Sequence, residues 1–330
     1  MRIKRKAGSA PADLAFLSGG QESSFHHIDK QTAICNMTFG SCPFFVSRMK
    51  ELQSTEEVER LFKKRIRKFV MISLIIVFAV IFAFSLYMII SQLTEERKSV
   101  ERFDELTQVV RGIEAQMEDD ASDTDEQTEP ETDAQSGQTV LAQYSPLYEQ
   151  NGDLFGWIRI EDTPIDYPVM YTPEDPERYL RRDFDGNYSV SGVPFVDGEC
   201  VDGGNYYIIY GHHMKNKSMF GTLPYYKDKS YWEEHRIIHF DTLYEKREYE
   251  IFAAFYSKVY DGSDQTAFKY YLYHDLTSQE VFEEYVRRVK VSSIYDTGAA
   301  VEYGDELLAL STCNYHTDNG RFVVVAKRIK

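Results

Sequence analysis

The sequence predicts a mostly-β domain, a barrel or a sandwich, carried behind a single transmembrane helix. Three observations lead there. An uncharged apolar run fills residues 69–90. At least seven short β-branched and aromatic runs follow residue 150, separated by Gly, Asp, Asn and Pro turns. Only one long amphipathic segment interrupts them, which fits a barrel or sandwich better than an α/β fold.

In chain order, residues 1–68 are the expected cytosolic head. Residues 1–48 have neither helical nor strand periodicity and scatter Gly, Ser and Pro, so they read as disordered. Met49 opens "MKELQSTEEVERLFKKRIRK", which makes it a second candidate start for the translated chain. Residues 69–90, "FVMISLIIVFAVIFAFSLYMII", hold no charge and no proline. At ~1.5 Å per residue such a run crosses a ~30 Å hydrocarbon core. A buried core helix of that length is rarely apolar on every face. "KKRIRK" at 63–68 abuts the span, and positive charge stays on the cytoplasmic side. The expected topology is therefore a single pass with residues 91–330 outside. No small-residue cleavage site follows, so the span reads as an anchor that is kept.

Residues 91–140 are the expected connector. "SQLTEERKSVERFDELTQVVRGIEAQ" continues as a polar helix with apolar residues at helical spacing. Residues 114–133 then carry ten acids and no base, and self-repulsion makes this a solvated spacer. The formal charge of −16 is uneven. Residues 1–68 hold 13 Lys and Arg against 7 Asp and Glu, a surplus of +6 that leaves −22 for the rest. Nucleic acid is excluded as a partner by that balance.

Residues 141–330 are the expected packed domain, aromatic-rich and β-branched. A short helix is predicted over 141–150. Strands are predicted at "GWIRI", "IDYPVM", "YYIIYG", "RIIHFDT", "EYEIFAAFYS", "LLALST" and "RFVVVAKRI". "TSQEVFEEYVRRVKVSS" is the helix among them, opening on Thr277 as a cap. It repeats Val281, Phe282, Tyr285, Val286 and Val289 along one face.

Four cysteines are present. Cys35 and Cys42 precede the span, and the six residues between them do not match a zinc-site spacing. No cofactor and no metal is expected. Cys200 and Cys313 are the exported pair. A disulfide between them is one reading; a reactive thiol is the other. Cys313 ends the apolar run "LLALSTC", and Arg321 opens the next one. A thiol becomes a nucleophile when a neighbour supports its thiolate, and histidine is the usual supporter. His212 and His213 follow the apolar strand "YYIIYG" at a glycine turn, while His316 and Asp318 lie in the turn after Cys313. Papain-like enzymes place Cys before His, the reverse of the order here, and no caspase signature surrounds Cys313.

"ALSTC" followed by "GRFVVVAKR", with "YGHHM" upstream, resembles the sortases, membrane-anchored cysteine transpeptidases of Gram-positive bacteria. In the family motif Thr-Leu-x-Thr-Cys, Leu310, Thr312 and Cys313 match, and Ala309 replaces the first Thr. The helix before the last strands and "SMFGTLPYY" after the histidines resemble class B members. The resemblance covers residues 141–330 and the anchor. It implies a sortase-like closed β-barrel with a few peripheral helices. It also implies Cys313 as nucleophile, His212 as acid/base (the histidine that directly follows the glycine) and Arg321 as stabiliser of the oxyanion or substrate. Ser311 and Thr312, flanking the nucleophile, are candidates for orienting substrate. His316, Asp318 and Cys200 match no family motif. The implied substrates are exported surface or pilin proteins with a C-terminal sorting motif. The implied acceptor is an amine of a peptidoglycan precursor or a pilin lysine. Two other readings stand beside this one: a membrane-anchored cysteine hydrolase, and an inert scaffold domain.

Overall fold

The computed structural model describes residues 43–120, 139–201, 203–264 and 266–330. The expectations for 1–42, with Cys35 and Cys42, and for the acidic run over 121–138 lie outside the described residues. The chain divides into two compact units, residues 1–78 and 79–330.

Helix α1 runs over Pro43–Asp120. Residues 43–48, expected to be disordered, are therefore helical. "MKELQSTEEVERLFKKRIRK" is rich in good helix formers, and Glu59 pairs with Lys63 one turn on at 3.2 Å. Every side chain from 69 to 90 is exposed. This is the one helix among the described residues long and apolar enough to cross a membrane.

From Ser99 onward α1 gains a buried stripe. Phe103, Leu106 and Val110 lie against the domain at helical spacing, no more than 4 % exposed. Arg102 pairs with Asp185 at 2.8 Å, and Arg111 with Asp166 at 2.5 Å. Glu114 faces Lys246 at 3.2 Å and Arg159 at 3.9 Å. Each buried apolar side chain contributes about 1.5–3 kcal/mol, and an exposed ion pair about 0–1 kcal/mol. The apolar stripe holds the helix, and the ion pairs fix its register. This stretch of the expected connector is docked on the domain.

Eight strands close a barrel in the order β1-β2-β3-β4-β7-β8-β6-β5. They are β1 Leu154–Arg159, β2 Asp166–Met170, β3 Phe195–Val196, β4 Tyr206–Tyr210, β5 Ile237–Thr242, β6 Glu248–Lys258, β7 Leu307–Cys313 and β8 Gly320–Arg328. All pairings are antiparallel except β2–β3 and β4–β7. The sequence pattern left barrel and sandwich open; the structure is the barrel. Helix α2 (Ser145–Gln150) starts later than predicted because Pro146 sits in its first turn, leaving 142–144 as a turn. Helix α3 (Lys229–Glu234) and strand β3 were not predicted, being too short to develop a period. Helix α4 (Gln279–Ser292) is the predicted amphipathic helix, with Ser278 rather than Thr277 as its cap. It buries Phe282, Tyr285, Val286 and Val289, while Val281 stays 38 % exposed. Its Tyr285 meets Tyr206 of β4 hydroxyl to hydroxyl at 2.5 Å.

Candidate active site

Three chain ends meet at one rim of the barrel. β7 ends on Cys313, β8 begins at Gly320, and their register pairs Cys313 with Arg321. On the other side of β7, β4 runs parallel, with Tyr206 beside Leu307 and Tyr210 beside Ser311. The Gly211 amide carries this ladder onward by donating to the Ser311 carbonyl at 3.1 Å. His212 is the next residue, past the paired residues of β4. Cys313 and Arg321 thus stand in one row across β7 and β8, and partners in such a row share a face of the sheet. The histidine segment after β4 reaches the same rim, where His213 bonds the Cys313 carbonyl.

The turn between β7 and β8 is tightly specified. Asn314 N–H donates to Gly320 O at 2.9 Å, and Gly320 N–H to Thr317 O at 3.0 Å. Asn319 takes a left-handed φ of 55°. A Cβ on Gly320 would come within 2.1 Å of the Asn314 carbonyl oxygen, so only glycine fits there. That turn delivers Arg321 opposite the thiol. His316 and Asp318 are exposed in it and stand outside the row.

Cys200 and Cys313 are both free. Cys200 is 2 % exposed, and burial pushes its thiol up to about 12. Cys313 is partly exposed at the rim. Only a thiolate attacks carbonyls, so the burial difference separates the two. The Cys200–Cys313 disulfide reading is set aside.

His212 is half-buried, and its Nε2 lies 2.8 Å from the Leu180 carbonyl oxygen. A carbonyl only accepts, so Nε2 carries the hydrogen and Nδ1 keeps the free lone pair. Burial lowers the pKa of His212 below the ordinary histidine value; the Leu180 bond opposes this and the Arg181 cation adds to it. The resting form at neutral pH is the neutral imidazole. His213, next to it, donates from Nδ1 to the Cys313 carbonyl at 2.9 Å and packs against Tyr315. It holds the backbone of Cys313.

The Arg321 guanidinium donates to the Gly320 carbonyl at 3.0 Å, with a longer contact to Asn319 O. Its partners among the described residues are backbone carbonyls, which leaves its charge uncompensated beside the thiol. Ser311 and Thr312 are 1 % and 2 % exposed. Ser311 Oγ lies 2.6 Å from the Tyr270 hydroxyl, and Thr312 Oγ1 donates to Gly211 O at 2.7 Å. Both hydroxyls are turned to protein partners. Tyr270 is buried under the row, and burial pushes its phenol up to about 12. The Ser311 bond and the Arg321 charge pull it down, and Cys313 pushes it up.

Tyr270, Leu180 and the backbone tie of His213 escaped the sequence reading. Leu180 contributes a carbonyl that no side-chain pattern encodes. Tyr270 lies in the aperiodic "KYYLYHD". Among the described residues no His, Cys, Asp and Glu cluster is set to hold a metal ion. A thiol, an imidazole and a cation at one rim are groups that acyl transfer can use.

The sortase-domain family model matches residues 158–329, which is more than half of the chain. Sortase B of Staphylococcus aureus is 31 % identical over 195 residues, 58 % of this chain and 76 % of that protein. Sortase B of Listeria monocytogenes is 32 % identical over 189 residues, 56 % of this chain and 72 % of that protein. Among solved structures, the S. aureus sortase B–substrate complex superposes with a TM-score of 0.59 at 25 % identity. It covers 72 % of this chain and 99 % of that one.

Proposed function

This chain belongs to the sortase family as a class B member, and from that premise we propose that Cys313, His212 and Arg321 carry its cysteine transpeptidase reaction. The observation that supports the assignment is the cross-strand pairing of Cys313 with Arg321 at a rim where the His212–His213 segment is bonded to the Cys313 backbone.

Cys313 transfers its proton to Nδ1 of His212, and the thiolate attacks the scissile carbonyl of a sorting motif. The carbonyl oxygen becomes an oxyanion beside Arg321, whose guanidinium stays charged and needs no proton exchange to stabilise it. The C–N bond then breaks. The leaving amine takes the proton from the His212 imidazolium, and a thioester to Cys313 remains. An incoming amine attacks that thioester and gives a proton to His212. Collapse forms the new amide and returns the sulfur as thiolate, which His212 reprotonates. Burial lowers the pKa of His212, which eases release of its proton to the leaving amine. Ser311 and Thr312 steady the row through Tyr270 and Gly211.

We place the reaction outside the cell. The apolar run 69–90 anchors the chain, and the basic cluster 63–68 keeps its N-terminal side cytoplasmic. The substrates are then exported proteins carrying a sorting motif. The acceptor is an amine of a cell-wall precursor or a pilin lysine. An experiment on protoplasts expressing the full chain tests orientation and chemistry together. Membrane-impermeant fluorogenic sorting peptides are added outside, with and without oligoglycine or lysine amines. The expected result is cleavage without lysis, with amine converting the product from free acid to amide. Cleavage that appears only after lysis contradicts the orientation. A product that stays free acid at saturating amine makes the chain a hydrolase.

A further inference from the structure

The docked stretch of α1 contributes no residue to the proposed set of Cys313, His212 and Arg321, yet it grips both pieces of backbone that hold His212. We propose that this stretch is a positioning element for the histidine, acting through Ser99, Arg102 and Phe103. The inference rests on His212 being the acid/base of the reaction.

The first route runs through residues 178–193. Leu180 offers the carbonyl that fixes His212 Nε2. The chain returns along this acceptor and is tied to it closely. Ser189 N–H donates to Arg181 O at 3.0 Å, and Val193 N–H to Tyr179 O at 3.1 Å. Gly192 sits at φ 58°, and a Cβ there would come within 2.7 Å of Leu180 O. A shift of the returning strand therefore moves the acceptor itself. Two residues of α1 clamp this segment. Ser99 Oγ is 2.7 Å from Ser191 Oγ, next to Gly192. Arg102 makes a bidentate pair with Asp185 at 2.8 and 2.9 Å.

The second route runs through the hairpin that follows the histidines. Phe220 N–H donates to His212 O at 3.0 Å, and His213 is bridged to Met219. Lys217 and Met219 hold left-handed φ values of 69° and 53°, at a cost of roughly 1–2 kcal/mol each for non-glycine residues. Such a hairpin needs support from outside itself. Met219 N–H finds it by donating to the Tyr167 hydroxyl oxygen at 3.2 Å. Phe103 of α1 packs edge-on against that Tyr167 ring, with centroids 5.3 Å apart at 77°. Helix, tyrosine and hairpin form one chain of contacts ending at His212.

The groups around His212 are the Leu180 carbonyl and the Arg181 cation. Loosening either support lets water reach the ring. Desolvation is the largest influence on His212, so its relief raises the imidazole pKa.

The test uses the full chain in detergent with the fluorogenic peptides, assayed well below the melting temperature of every variant. Arg102→Ala and Phe103→Ala are expected to lower kcat by roughly tenfold or more, since a misplacement of about 1 Å can cost ~10²-fold. KM for the peptide should change little. The acid limb of kcat/KM should move to higher pH, and Phe103→Leu, which keeps the apolar contact, should restore most of both. Glu114→Gln, on the same helix against Arg159 and Lys246, should leave kcat and the limb unchanged. If Arg102→Ala and Phe103→Ala keep the wild-type kcat and limb while His212→Ala is inactive, the helix only packs and the proposal falls alone. If His212→Ala still turns over, the acid/base assignment fails and this proposal falls with it.

Discussion

Cys313→Ala is expected to abolish peptide cleavage, by on the order of 10⁵-fold or more, because no other group on the rim can form the thioester. The fold should survive. Cys313 is at the end of β7 and partly exposed, so losing its sulfur opens no cavity in the core. Cys200→Ala is the informative partner. Its thiol is buried and held protonated, so this variant should lose about 1 kcal/mol of stability and keep most of its turnover. Steady-state cleavage, alongside thermal melts of both variants, checks the pair. Retained turnover in Cys313→Ala would remove the thiol from the mechanism.

Arg321→Lys should lose on the order of 10²-fold in kcat, with a smaller effect on KM. Lysine keeps the positive charge but not the planar fork, and its ammonium is a point charge on a flexible stem. The tight turn at Asn319 and Gly320 fixes where the side chain starts, so a lysine cannot recover the geometry by a backbone shift. The loss should fall on kcat because the oxyanion exists only after attack. If the Arg321→Lys variant supports nearly full turnover, the arginine supplies a general field and no directed stabilisation.

How much of this was legible before the fold was known differs from part to part. The long apolar helix, seven of the eight strands and helix α4 were readable because each carries its own local pattern. The barrel closure was not. The parallel pairing of β4 with β7 joins residues a hundred positions apart, and no local alternation encodes it. β3 is only two residues long, too short for a pattern. For the site, Cys313, His212 and Arg321 are the residues that motif resemblance proposes. The supports of the row were not readable, since Leu180 and Cys313 take part through backbone carbonyls. Ser311 and Thr312 were singled out for their hydroxyls, and the structure turns those inward to Tyr270 and Gly211. Helix α1 is the instructive intermediate case. The spacing of Phe103, Leu106 and Val110 gave its apolar stripe, but what the stripe covers is a property of the folded domain.

The central claim is that one thiol, Cys313, carries the acyl group between cleavage and transfer. The most direct measurement is intact mass and peptide mapping of the full chain, quenched in acid during turnover of a sorting peptide without amine. The account predicts a single added acyl mass on the peptide containing Cys313, with Cys200 unmodified, discharged to an amide when oligoglycine or a lysine amine is added. An adduct on Cys200, or sustained cleavage with no adduct under conditions that slow its release, would contradict it.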